Sequence, residues 1–574
     1  MIAETSVAPH EIERKFIPSD MKVETWSDLE SFFKELTQRD ISNTNELKKW
    51  LKDRSELEAA IQEDIAWRYI RMSCDTTNKD FQEAFNFFVS EIEPQIAPYT
   101  NSLNQKLLDS PFADQLEDPG MRIMLRSIAK QVEIFREENI PIFAELQQKE
   151  QNFATIAGAM TVEVDGKEIT LQQASNYLKQ PDREKRQEVF EKIANRRLKD
   201  KEALDDLFDE LLSLRHQIAV NAGFENFRDY MFAALGRFDY TKEDCFRFHD
   251  SIASELVPLV RQMHMRRKEQ LGYDVLHPWD LDVDVTGKDA LKPFEGEAEL
   301  MRKTITCFNN IHPFLGSCMQ TLQTLKHVDL DSRKGKAPGG FNYPLYETGV
   351  PFIFMNSSNS LRDLVTIVHE GGHAVHSIVT RDLEFIEYKN TPSEVAELAS
   401  MAMELISMEH WESYFDRDDE LQRAKTQHLE SILTSLPWIA AIDKFQHWIY
   451  TNPGHSATDR KQQWESIMSE FTSDVIDRTG YEDVQSYSWQ RQLHLYQVPF
   501  YYIEYGMAQL GAIALWKNYR QDRDRTLRQY IDALKLGYTA DISSIYDSAG
   551  IRFDFSREYI HDLATFIQDQ LENQ

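Results

Sequence analysis

The sequence predicts a mainly helical protein, and three observations carry that expectation. Glycine and proline are scarce, 21 and 19 in 574 residues, which disfavours a turn-rich sandwich or barrel. Apolar residues recur at spacings of three and four among many Glu, Lys, Gln and Arg, as in Leu29, Phe32, Phe33 and Leu36. Hydrophobic residues make up 41% of the chain, enough for a large core, which excludes a mostly disordered protein.

The elements follow in order. Residues 20–220 read as helix almost throughout, with short breaks at 94–98, 110–111 and 118–120. Inside this block, TVEVDGKEITLQ at 161–172 carries two alternating β-branched runs around Asp165 and Gly166, a two-residue hairpin signal. A second helical block runs from about 180 to 270, and 274–294 reads as a loop or strand-like segment. One helix is expected over roughly 296–325. Residues 326–357 are rich in glycine and proline and predict a small antiparallel sheet. From Ser360 to the end the pattern is helical again.

Composition narrows the partners. Lys and Arg total 64 against 95 Asp and Glu, a net charge of −31. So acidic a chain repels phosphate backbones and anionic lipid, which argues against nucleic acid or a membrane as main partner. Cys74, Cys245, Cys307 and Cys318 form no CxxC pair and are too sparse for a disulfide framework, so a reducing cytoplasm is expected. Met1 to Phe16 has no apolar core of a signal peptide. No run of about 18 apolar residues suggests a membrane span.

The chemistry lies in SLRDLVTIVHEGGHAVHSIV, residues 360–379. Ser360 and Asp363 read as a capping box. His369 and His373 are one helical turn apart, about 40° around the axis and ~6 Å along it, so both imidazoles can reach one metal ion. Glu370 between them occupies the place of a general base for attacking water. Two adjacent glycines, Gly371 and Gly372, cost about 1 kcal/mol each relative to alanine, which suggests close approach by substrate or a neighbouring backbone. His376 lies further along the same helix and reads as a core histidine or one that supports a ligand. A third histidine at metzincin spacing is missing, because position 376 is His where that pattern has Gly, and 379 is Val.

The next helix, TPSEVAELASMAMELISMEHW from 391, supplies the third ligand. Thr391, Pro392 and Glu394 read as N-cap, N1 and N3. Glu397 and Glu404 lie on one stripe of an otherwise apolar helix, where carboxylates are costly unless paired or metal-bound. Glu397 is expected to bind the metal, and Glu404 to hold a ligand histidine by its other ring nitrogen. Further on, WQRQLHLYQVPFYYIEYGMAQLGA at 489–512 brings His494, Tyr501, Tyr502 and Tyr505 close together. Their phenols and imidazole suit an oxyanion-stabilising wall, and they equally suit an aromatic core.

HEGGHAVH, then AELASMAMEL, then VPFYYIEYGMAQLGA resemble the thimet oligopeptidase and oligoendopeptidase F family of zinc metallopeptidases, nearest to the bacterial Pz-peptidase-like oligopeptidases. The likeness covers about residues 200–574. It implies a clam-like helical molecule with a deep channel, one Zn²⁺ per chain held by His369, His373 and Glu397, and Glu370 activating water. Residues 1–200 would then be a helical N-terminal lobe and 201–574 the catalytic domain. The family's sheet beside the active helix corresponds to residues 335–356. Its edge strand would hold the substrate backbone, with Gly339, Gly340, Phe352, Phe354 and Tyr501 as substrate-binding positions. The transition-state donors would be Tyr502, Tyr505 and His494. The resemblance implies cleavage of internal bonds of short unfolded peptides, and a cytoplasmic protein, a monomer rather than an oligomer, is expected. The alternatives are a zinc peptidyl-dipeptidase or carboxypeptidase, with Arg491 or Lys444 as carboxylate-binding cation, and a catalytically inactive peptide-binding module.

Overall fold

The computed structural model describes residues 7–8 and 13–572. Most of the stretch from Met1 to Phe16, in which no signal peptide is expected, lies outside the described residues. The protein is mainly helical with two small sheets, as the sequence predicts. Among the described residues no helix is long and apolar enough to cross a membrane. The chain folds as two compact units. One holds residues up to 135, 292–424 and 508–553, and the other holds 136–291, 425–507 and 554 onward. Each unit draws on both sides of residue 200.

The helices that bear on function are, in chain order, α1 (Thr44–Cys74), α2 (Lys242–Glu255), α3 (Gly296–Ile311), α4 (Pro313–Leu325) and α5 (Leu361–Thr380). They are followed by α6 (Ser393–Met408), α7 (Asp418–Thr451), α8 (Tyr502–Gln521) and α9 (Arg523–Leu534). The strands are β1 (Thr161–Val164), β2 (Lys167–Thr170), β3 (Val328–Asp331), β4 (Phe341–Tyr343) and β5 (Phe352–Ser357).

In the first unit, Asn43 caps α1 by accepting from the Glu46 amide at 3.0 Å. The first half of α1 buries Leu47, Trp50, Leu51 and Leu57 in a core with Leu29, Phe33 and Leu103. Its last turns carry Ala66 and Ile70 beneath Leu345, Phe352 and Phe354. Each such large apolar side chain contributes about 1.5–3 kcal/mol on burial, so α1 ties its helical core to the sheet.

That sheet is mixed, in the order β3-β5-β4. β4 pairs antiparallel with β5, as expected, but β3 pairs parallel with it. The chain leaves β3, forms the β4 edge first and returns as β5 between the two. The helix expected over 296–325 is broken at His312. Pro313 lacks an amide proton and drives the preceding residue out of the helical region, and His312 is extended at φ −164° and ψ 139°. In the second unit β1 and β2 form the expected hairpin. Asp165 and Gly166 both have positive φ, 54° and 74°, the signature of a type I′ turn.

The second unit also buries an ion cluster. Arg186 and Asp280 are both fully buried, with Arg186 Nη2 2.9 Å from Asp280 Oδ1. Arg183 binds the other carboxylate oxygen at 2.7 Å. Removing one partner strands a buried charge, which costs about 3–5 kcal/mol. Asp280→Ala is therefore expected to lower the urea midpoint followed by circular dichroism. An unchanged midpoint would mean that this cluster does not hold the unit together.

Candidate metal centre

The centre is built on α5 and α6, both in the first unit. Ser360 and Asp363 form the expected capping box, with the Ser360 amide donating to Asp363 Oδ2 at 2.8 Å and the Asp363 amide to Ser360 Oγ at 3.3 Å. α6 starts one residue later than the sequence suggests. Pro392, not Thr391, is the N-cap, with an extended ψ of 146°, and the helix begins at Ser393.

The glycine pair explains how the two helices meet. A Cβ on Gly372 would lie 2.6 Å from both the Ala399 carbonyl oxygen and Ser400 Cα, on the backbone of α6. A Cβ on Gly371 would lie 2.6 Å from the Phe308 ring on α3. A neighbouring backbone, one of the two possibilities raised by the sequence, thus occupies the space that a side chain at 372 would need.

This approach brings Glu397 onto the histidines. Its Oε2 lies 3.4 Å from His369 Nε2 and 3.7 Å from His373 Nε2. With metal–ligand bonds near 2.0–2.1 Å, neighbouring ligand atoms of a tetrahedral site are about 3.4 Å apart, so the donor set fits a divalent ion. The remaining nitrogen of His369, Nδ1, lies 2.7 Å from Glu404 Oε1, and the His373 ring is hydrogen-bonded to the Ala396 backbone. Both imidazoles are therefore oriented from behind, as metal-binding histidines usually are. Ser400 Oγ donates to Glu397 Oε2 at 3.1 Å. Ser400 went unnoticed in the sequence, although its place three residues after Glu397 is a helical hydrogen-bond spacing.

The electrostatics reflect a concentration of buried carboxylates. Burial, reinforced by Glu397 and Glu404 and opposed by His369, pushes the Glu370 carboxyl up to about 7. Burial alone would lower His369, but its hydrogen bonds to Glu397 and Glu404 outweigh it and raise the ring well above the usual range. Burial lowers His373 to about 4, keeping it in the neutral form that binds metals. His376 is also pushed down, to about 3, by burial. It stands outside the group of converging ligand atoms.

The sheet lies alongside. Asn342 on β4 donates its side-chain amide to the Glu370 carbonyl at 3.3 Å. Gly339 and Gly340 are exposed in the loop that enters β4, and Asn356 Nδ2 holds the Gly339 carbonyl at 2.9 Å. Phe352 and Phe354 correct an expectation. They lie on β5, the central strand, paired on both sides, and their side chains belong to the core beneath the sheet. The edge strand beside α5 is β4.

In the second unit the expected aromatic group is assembled. The His494 ring centre is 4.7 Å from Tyr502, 5.6 Å from Tyr505 and 6.1 Å from Tyr501. Tyr505 also packs on Tyr501 at 5.3 Å and Tyr502 at 5.6 Å. Lys444 is engaged by Glu470 at 2.6 Å, and the Arg491 guanidinium lies 4.3 Å above the Trp438 ring.

Residues 176–565 match Peptidase family M3, and residues 16–135 match the Peptidase M3 N-terminal domain. The chain is 22% identical over 499 residues to an Oligoendopeptidase F homolog of Borreliella burgdorferi, covering 83% of each protein. It is 25% identical over 305 residues to Oligopeptidase PepF of Bacillus subtilis, covering 51% of this chain and 44% of that one. The solved structure of Pz peptidase A with inhibitor 2 superposes with a TM-score of 0.90 at 25% identity, over 98% of this chain and 99% of its own.

Three substitutions test how the centre is held. Gly372→Ala gains about 1 kcal/mol of helix propensity but drives a methyl group into the α6 backbone, an overpacking cost of about 1–3 kcal/mol or more. It is expected to destabilise the protein more than Gly371→Ala, whose methyl meets the side chains of Phe308 and Met319 and no backbone atom. Equal melting temperatures for the two variants would contradict the contact. Glu404→Ala frees His369 Nδ1 and is expected to weaken metal binding about 10–100-fold in a chelator competition. Unchanged affinity would mean that Glu404 does not orient the ligand.

Proposed function

The chain belongs to peptidase family M3, and on that premise we propose that this metalloendopeptidase is a zinc-dependent oligoendopeptidase cleaving internal bonds of short unfolded peptides. The observation that carries the reading is the convergence of His369, His373 and Glu397 beside the buried Glu370. Two imidazoles and one carboxylate, with a coordination position left over, are the donor set of catalytic zinc. The bound ion would supply Lewis acidity, polarising the scissile carbonyl and acidifying water.

The chain's own residues do the rest. Glu370 takes a proton from the attacking water and passes it to the leaving amine, a shuttle for which its buried place between His369 and His373 suits it. Glu404 and the Ala396 backbone keep His369 and His373 aimed. The outer edge of β4 offers backbone donors and acceptors to an extended peptide, which Asn342 keeps in register with α5. Tyr502, Tyr505 and His494 donate to the developing oxyanion, a role that follows from the family resemblance and from their assembly into one aromatic group. The size limit on substrates is supported by relatives named oligopeptidase and oligoendopeptidase. A cytoplasmic monomer is part of the same reading. The engagement of Lys444 and Arg491 by other side chains gives the exopeptidase alternative no support.

Glu370→Gln preserves shape and removes the base. It is expected to retain zinc at wild-type stoichiometry and to lose at least about 10²–10⁴ in kcat. Wild-type turnover in the zinc-loaded variant would remove Glu370 from this role. Tyr502→Phe and Tyr505→Phe separate donors from wall residues. The principal donor loses about 10²–10³ in kcat with KM little changed. If neither phenylalanine variant slows the reaction, the oxyanion donors lie elsewhere.

A further inference from the structure

The second unit contains another group of metal-ligand side chains, distinct from the α5–α6 centre and unused by the peptidase chemistry. Cys245 and His249 stand one turn apart on α2, and Asp443 and His447 one turn apart on α7. Each pair has the i, i+4 spacing that lets two side chains of one helix converge. Ligand atoms of Cys245, Asp443 and His447 all lie within 4.8 Å of one another. All four residues are buried, at 0% exposure for Cys245 and Asp443, 2% for His249 and 4% for His447.

The hydrogen bonding within this group is incomplete in a particular way. Asp443 Oδ2 lies 2.8 Å from His249 Nε2, while Asp443 Oδ1 has no partner. Neither ring nitrogen of His447 is hydrogen-bonded, although its Nε2 is 3.3 Å from Asp443 Oδ2. Phe232, Phe246 and Phe500 pack around the His447 ring at 4.9–5.9 Å. A carboxylate oxygen without a partner and an imidazole with neither nitrogen in a well-formed hydrogen bond cost about 1–3 kcal/mol each in such surroundings. A packed aromatic core has no reason to keep them there.

We propose that Cys245, Asp443 and His447 bind a second, structural divalent transition-metal ion of the zinc class, with His249 positioning the carboxylate. A thiolate, a carboxylate and an imidazole match the ligand preferences of such an ion. The charges also balance, since one thiolate and one carboxylate neutralise a dication held among buried side chains. Binding takes the thiol proton from Cys245 and releases it to solvent, forming the metal–sulfur bond. Asp443 Oδ1 and a His447 nitrogen find their missing partner in the ion. His249 holds Oδ2, the arrangement by which a neighbouring group fixes a ligand's orientation.

Sulfur makes the test selective, because His369, His373 and Glu397 contain none. The full-length protein is produced in zinc-depleted medium with Co²⁺ as the supplied metal, then analysed for cobalt and for thiolate-to-cobalt charge-transfer absorption in the near ultraviolet. The expected result is two cobalt ions per chain and a clear charge-transfer band. His373→Ala should lose one equivalent and keep the band, whereas Cys245→Ser should lose one equivalent together with the band. A single cobalt per chain without the band in the intact protein overturns the proposal, and so does a band that persists in folded Cys245→Ser. If Cys245→Ser fails to fold, the spectrum and stoichiometry of the intact protein decide alone. The outcome is independent of peptidase activity, so failure here leaves the α5–α6 centre untouched.

Discussion

At Gly372 the backbone of α5 runs against Ala399 and Ser400 of α6 with no room for a methyl group between them, and the candidate centre depends on that contact. Glu397 stands less than one turn from the contact on α6, and His369 and His373 flank it on α5. A larger residue at 372 would hold the helices apart and carry the carboxylate away from both imidazoles. The glycines weaken α5 as a helix, by about 1 kcal/mol each. Tertiary packing offsets this, since both α5 and α6 are buried along most of their length. Ala399 is anchored from the far side too, where Tyr530 of α9 donates its hydroxyl to the Ala399 carbonyl at 2.7 Å.

The contact has an electrostatic consequence. It gathers three buried carboxylates, Glu370, Glu397 and Glu404, around two histidines. Burial pushes the Glu370 carboxyl up, while hydrogen bonds to Glu397 and Glu404 raise the His369 ring. In the proposed reading a divalent ion would meet Glu397 and both imidazoles at once and leave Glu370 to move protons. A similar arrangement, helical pairs one turn apart that bring buried ligand groups together, recurs at Cys245, His249, Asp443 and His447.

Much of the centre is legible in the sequence because its information is local. His369, Glu370 and His373 sit on one turn, and Glu397 and Glu404 stand out against an apolar helix that follows directly. The capping box at Ser360 and the turn at Asp165 and Gly166 are local for the same reason. What escapes sequence reasoning is set by distant pairing. The parallel match of β3 to β5 depends on β5 inserting between β3 and β4, and it places Phe352 and Phe354 in the core beneath the sheet. The interleaving of the two units follows from contacts between stretches far apart in the chain. Cys245 and Asp443 belong to helices nearly two hundred residues apart and carry no joint motif. The break at His312 is a different case, since Pro313 announces it and the apolar periodicity on either side conceals it.

The central claim, a metal centre on α5 and α6 that cuts inside peptides, is tested most directly by one assay. A short fluorescence-quenched peptide blocked at both ends is incubated with the zinc-loaded protein, with and without chelator, and the products are identified by mass spectrometry. The account predicts cleavage at internal bonds that stops with chelator and returns when zinc is restored. Survival of the blocked peptide, while its unblocked form loses C-terminal residues, would contradict the account and give the centre to an exopeptidase.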